Sequence, residues 1–149
     1  MEIRAFILGA GLGIACLPAL MPAQAEEAVV NPVAKVRNLV LSIKGTPDNV
    51  ASLCRLALVQ TLEEEEFTVV KDRAKADAEL VFTGNPVTIT QGRRMDIGKV
   101  QLSYAVEVNG SAGRIWSLVD HEWGSSLADA CEDAAGDIAD ELAEARDDD

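Results

Sequence analysis

The chain has 149 residues, 48% hydrophobic and 26% charged, a balance that allows one domain with a real core and excludes the low-hydrophobicity signature of disorder. Its 25 acidic residues against 13 basic give a net charge of -12, which works against binding to nucleic acid or to an anionic membrane surface. No solenoid period repeats along the sequence.

Residues 1–25 read as a secretory signal peptide. Arg4 gives the positive start, Phe6 to Met21 run without charge, Pro18 and Pro22 break the run, and Ala23-Gln24-Ala25 supplies an A-x-A ending. Two alternatives stand beside it. A retained anchor is one, although the run is shorter than the ~20 residues that span a bilayer. Lipidation at Cys16 is the other, although Gly13 stands where a lipobox has leucine. Cleavage after Ala25 leaves a periplasmic chain that starts at Glu26, has no stable membrane insertion, and begins with a flexible linker over 26–35.

The domain itself is expected over 36–145. Leu39, Leu41 and Ile43 alternate with polar or smaller residues, so Val36 to Ile43 reads as a strand. After Gly45, Thr46 is placed to cap a helix that opens at Pro47. Val50, Leu53, Cys54, Ala57, Leu58, Thr61 and Leu62 form its apolar stripe. The helix ends in Glu63, Glu64, Glu65 and Glu66, against the negative end of its dipole and with no obvious neutralising partner. Phe67 to Val70 is a short strand and Lys71 to Lys75 a charged turn. The next strand buries Ala78, Leu80 and Phe82. A β-bulge at Gly84-Asn85-Pro86 is expected to shift the inward set to Val87 and Ile89. A hairpin loop, Gln91 to Gly98, leads to the cleanest strand, where Val100, Leu102, Tyr104, Val106 and Val108 alternate with smaller or polar residues. Asn109-Gly110 begins a turn. In the last strand, Arg114 to His121, the order Ile115, Trp116, Leu118, Val119 leaves the buried face open. Ser125 or Ser126 caps a final helix with Leu127, Cys131, Ala134, Ala135, Ile138 and Leu142 on its apolar side, and 146–149 form an acidic tail. The order β-α-β-β-β-β-α gives an α+β fold, a mainly antiparallel five-stranded sheet with two helices on one face.

The stretch LEEEEFTVVKDRAKADAELVFTG, from Leu62 to Gly84, together with the later GRIWSL, resembles a pattern in small bacterial envelope modules: a helix ending L-x-x-x-G-F, a strand V-V, then A-D-A-x-L-x-x-G. The amino-terminal domain of the Tol-Pal translocation protein, the curli-secretion lipoprotein and the lipopolysaccharide-assembly lipoprotein are the examples it is similar to. That resemblance implies a non-enzymatic periplasmic accessory protein that acts by protein–protein interaction in envelope assembly or secretion, with an unknown envelope protein as partner. A small-ligand-binding module is the alternative, with a concave apolar pocket around Tyr104 and Trp116. Where the modules have glycine before the phenylalanine, this chain has Glu66, at a position where helices commonly end in a left-handed residue.

The sequence offers little chemistry. His121 is the only histidine, and strand alternation sends it to the face opposite Asp120 and Glu122. There is no nucleophile elbow, zinc-protease helix, phosphate loop or calcium-binding loop, so no catalytic residue, cofactor or metal site is expected. The hairpin loop is the better candidate. Arg93, Arg94 and Lys99 gather three cations around Met95 and Ile97, a mixture suited to an interface tip. The other possibility is a plain hairpin whose two apolar residues fold back on the sheet edge. Cys54 and Cys131 lie on the inner stripes of the two helices, and an oxidising compartment permits a disulfide between them. Antiparallel helices would allow it only with an axial offset, since the Cα atoms must come within about 7 Å. Otherwise both remain buried thiols.

Overall fold

In a computed structural model the described residues are 30–90, 92 and 97–148. Pro32 to Asp148 build one compact unit around β1 (Asn38–Ile43), α1 (Asp48–Glu64), β2 (Thr68–Val70), a single 3-10 turn (Arg73–Lys75), β3 (Ala78–Thr88), β4 (Val100–Gly110), β5 (Gly113–Gly124) and α2 (Leu127–Asp147). Five strands and two helices come in the expected order. The sheet runs β2-β1-β3-β4-β5 and is mixed: β1 is parallel to both β2 and β3, while β3–β4 and β4–β5 are antiparallel. A helix between β1 and β2 makes the parallel pairing available, because a crossover returns the chain to the same end of the sheet.

Both helices cover the face carrying Leu39, Leu80, Phe82, Leu102, Tyr104, Val106 and Val108, all of them buried. The second helix adds Ala130, Ala134, Ala135, Ile138, Ala139 and Leu142. Small residues there let it lie close to α1, and Thr61 donates its hydroxyl across the gap to the carbonyl of Ala135 at 3.1 Å. Ser126 caps α2 by accepting the amide of Asp129.

Several local expectations change. Thr46 does not cap α1, whose N-cap is Pro47 and has no side-chain partner. Its hydroxyl instead donates to the Lys44 carbonyl and accepts the amide of Gly84, tying the turn to β3. Leu53 is exposed rather than part of the buried stripe. No bulge interrupts β3, which pairs with β4 without a register shift from Glu79 to Thr88. Gly84 continues the inward set, opposite Tyr104, because a side chain there would meet the Phe82 ring at 2.8 Å. Val87 is therefore left on the outer face. The irregularity in the sheet lies instead between β4 and β5, at Val108/Asn109.

The four glutamates close α1 through a Schellman arrangement. Phe67 donates its amide to the Leu62 carbonyl at 3.0 Å and Glu66 to that of Glu63 at 3.1 Å, with Leu62 and Phe67 both buried. Glu66 is left-handed, at φ 70°. The missing cation comes from far along the chain. Arg146 of α2 donates to the Glu65 carbonyl at 2.8 Å, and its guanidinium lies 4.5 Å from the centre of the Phe67 ring.

The left-handed residue gives a direct prediction. Glu66→Gly should raise the denaturant midpoint, since relief of about 1 kcal/mol of Cβ strain outweighs the added unfolded-state freedom of glycine. A lower midpoint for the variant would contradict this account of the helix end.

Candidate functional site

Of the residues expected at the hairpin tip, Arg93, Arg94 and Met95 lie outside the described residues. Ile97 and Lys99 are described. The Lys99 carbonyl accepts the Ile89 amide and the Ile89 carbonyl accepts that of Gly98, which closes the base of the hairpin. Ile97 is 51% exposed.

Among the described residues, helices occupy only one side of the sheet. On the other, the ladder places Val87, Gln101 and Trp123 in one row across β3, β4 and β5, and Thr83, Ala105 and Val119 in another. Val87 is 58% exposed, Val119 79% and Trp123 47%. The row of Val87 and Trp123 lies at the end of the sheet from which the Ile97 hairpin leaves. Apolar positions that a solvated strand does not need thus accumulate toward one end of an uncovered face, beside the loop singled out from the sequence.

The inner side of β5 carries a different feature. Asp120 and Glu122 fall opposite Tyr104 and Leu102, hence on the helix-covered side, while His121 points outward. Carboxylate oxygens of Asp120, Glu122 and Asp137, the last from α2, all lie within 4.8 Å of one another. A hydrogen bond to Asp137, burial, and the charges of Asp137, Asp120 and Asp133 push the Glu122 carboxyl up to about 7. Tyr104, only 3% exposed, has a hydroxyl without a hydrogen-bond partner. Burial, then the charges of Asp137, Asp120, Glu122 and Glu141, raise its pKa further above the ordinary phenol value. Alternation showed that the two acids of β5 share a face, but not that α2 would bring a third to them.

The raised carboxyl has a testable consequence. Folded protein keeps a proton on Glu122 that the unfolded chain releases between pH 4.5 and about 7, so stability should fall as pH rises through that window. Asp137→Asn removes the partner charge. Its chelator-treated unfolding midpoint should vary less over the window and exceed that of the parent at the alkaline end, and an unchanged pH profile would contradict the assignment.

A third feature is a surface depression of about 770 Å³ where the helix ends meet, lined by Trp116 with Glu65, Asp140, Glu141, Glu144, Asp147 and Asp148 among others. Tyr104 lines a separate depression with Asn85, Ser103 and His121. Trp116 and Tyr104 thus line different depressions among the described residues. His121 has Asp120 as an acidic neighbour at 3.9 Å, its side chain 56% exposed.

The structure brings Cys54 and Cys131 together as a disulfide, Cα atoms 4.9 Å apart, with both residues buried. The helices that carry them run parallel rather than antiparallel. Cys54 meets Cys131, Thr61 meets Ala135 and Glu65 meets Arg146, so positions advance together. Topology requires this, because β1 and β5 point the same way and each is followed by a helix that doubles back over the same face. No axial offset is needed.

No protein-family model matches the chain, and no curated protein matches it. Solved structures do share its fold. A minor lipoprotein from Acinetobacter baumannii superposes with a TM-score of 0.53 at 12% identity, covering 74% of this chain and 95% of that one. The PelC dodecamer subunit from Paraburkholderia phytofirmans gives 0.54 at 16%, with 76% and 90% covered. The fold is thus one found among small bacterial envelope lipoproteins. The likeness goes no further toward the three proteins named from the sequence motif. Among the described residues no helix is long and apolar enough to cross a membrane.

Proposed function

We propose that this chain is an exported, non-enzymatic accessory protein of the bacterial envelope that works by binding another envelope protein through the helix-free face of its sheet. The observation that carries the reading is the set of exposed apolar residues Val87, Val119 and Trp123 on one sheet face, with the exposed Ile97 in the hairpin that leaves the Val87–Trp123 end. Supporting it are the signal-like residues 1–25, the shared fold of bacterial lipoproteins, and the absence of a catalytic constellation among the residues described above. Net charge of -12 selects against acidic partners, and the cations at Arg93, Arg94 and Lys99 in the sequence around the tip locally offset it.

Affinity capture from a native envelope tests this. Val119→Glu combined with Ile97→Ser should weaken recovery of the partner, while thermal stability stays nearly unchanged, because both residues are exposed in the free protein. Undiminished capture by a well-folded variant would remove the sheet face from the mechanism. A large loss of stability would show that the two residues support the fold instead.

A further inference from the structure

Asp120, Glu122 and Asp137 bring three carboxyl groups to one place, with Glu122 hydrogen-bonded to Asp137. Two of them come from one strand and the third from a helix that begins only three residues after that strand ends. Here one oxygen from each approaches to within 4.8 Å of the others. Oxygens ligating a common calcium ion at about 2.4 Å can be separated by up to about 4.8 Å, when they lie on opposite sides of it. The three oxygens thus lie within the reach of one shared ion.

Tyr104 supplies an independent observation. Its residue is 3% exposed and its hydroxyl has no partner, an unfavourable state for a buried polar group. It stands directly opposite Asp120 in the ladder, on the side facing α2, and the three carboxylates are among the charges that act on it. A hydroxyl both donates and accepts, and an ion-bound water would supply the partner that no carboxylate of the trio gives it.

We propose that Asp120, Glu122 and Asp137 form a calcium-class cation site between β5 and α2, with Tyr104 as its buried wall. The donors are all hard oxygens, whereas zinc and copper sites favour the imidazole and thiolate groups that this place lacks: His121 points to the opposite face and Cys131 is in the disulfide. Carboxylates drawn from two elements form a loose, partly open cage, which suits the irregular shell of calcium better than the strict octahedron of magnesium. The ion would pin the middle of α2 to the strand before it, on the side of the sheet opposite the docking face. The site is therefore independent of the proposed function.

Calorimetric titration of the chelator-treated protein with CaCl2 tests the site, together with melting in CaCl2 against NaCl of equal ionic strength. One ion should bind per chain with a dissociation constant of about 10⁻⁴–10⁻³ M, the range of extracellular modules, and raise the melting temperature. Asp137→Asn should weaken binding by more than an order of magnitude while melting no lower than the parent without calcium, so that misfolding does not explain the loss. Asp133→Asn, on the same helix but outside the trio, should keep the full response. Absence of saturable binding, or equal responses in the parent and Asp137→Asn, would overturn the site, since a chain of this net charge also attracts divalent ions diffusely. Equal losses in Asp133→Asn and Asp137→Asn would overturn it as well.

Discussion

Removing the Cys54–Cys131 bridge should cost the domain about 4 kcal/mol, the chain-entropy value for closing a loop of this size. The bridge joins residues 77 positions apart and links the two helices that together cover the core. Unlinking them frees the unfolded chain far more than it relaxes the folded one. Against the roughly 5–15 kcal/mol that holds a typical domain together, the loss is a large fraction. Urea midpoints of the oxidised protein, the reduced protein and the Cys54→Ala/Cys131→Ala variant measure it. Both unbridged forms should unfold at much lower urea, and the denatured, unreduced protein should show no reactive thiol. Two reactive thiols per chain, or coincident midpoints, would contradict the bridge and the stability assigned to it.

Gly124→Ala should be strongly destabilising, although an exchange of glycine for alanine ordinarily stabilises by restricting the unfolded chain. Gly124 ends β5, and a Cβ there would lie 2.6 Å from the Ala130 amide nitrogen, 2.9 Å from the Ser126 carbonyl oxygen and 3.0 Å from Cβ of Asp129. Two of these are backbone atoms in the cap and first turn of α2, so no side-chain rotation relieves the clash. A cost of about 1–3 kcal/mol follows from overpacking of this kind. Gly136 gives the internal control. It lies within α2 with nothing within 4 Å of its Cβ position, so Gly136→Ala should stabilise by up to about 1 kcal/mol through helix propensity. Opposite signs for the two substitutions support the close strand-to-helix junction; stabilisation by both would contradict it.

The parts of the fold that could be read from the sequence are those set by local periodicity. β4 alternates along its whole length, and Ser126 sits before a helical stripe, so each was legible from neighbouring residues. Glu66 was legible from the helix end and is left-handed as expected. Gly84 misled because glycine in a strand commonly marks a bulge, whereas here it makes room for Phe82 beside the Tyr104 ring, 6.0 Å away between centroids. Arg146, which answers the crowded negative end of α1, lies 81 residues from the carbonyl it caps. No local pattern encodes such a partner. The parallel course of the helices likewise depends on the direction of β5 relative to β1, which only the full strand order determines.

The candidate sites divide in the same way. Alternation separated His121 from Asp120 and Glu122, but the inner side of β5 was open because Ile115, Trp116, Leu118 and Val119 do not alternate cleanly. Trp116 and Leu118 face the core and Val119 faces out, on a side that no helix covers among the described residues. The extension of β5 to Gly124 then placed Trp123 on the outer face and Glu122 on the inner one. Both the docking face and the carboxylate trio thus depend on three residues beyond the strand end that the sequence suggested.

Photocrosslinking in intact cells tests the central claim most directly. A benzophenone amino acid is placed at Val119 on the helix-free face, or at Glu132 on the exposed side of α2, and adducts are compared after irradiation. The account predicts a discrete adduct with another envelope protein from position 119 and none from position 132. Adducts from position 132 alone would contradict it, as would none from position 119 in a protein that is exported and folded.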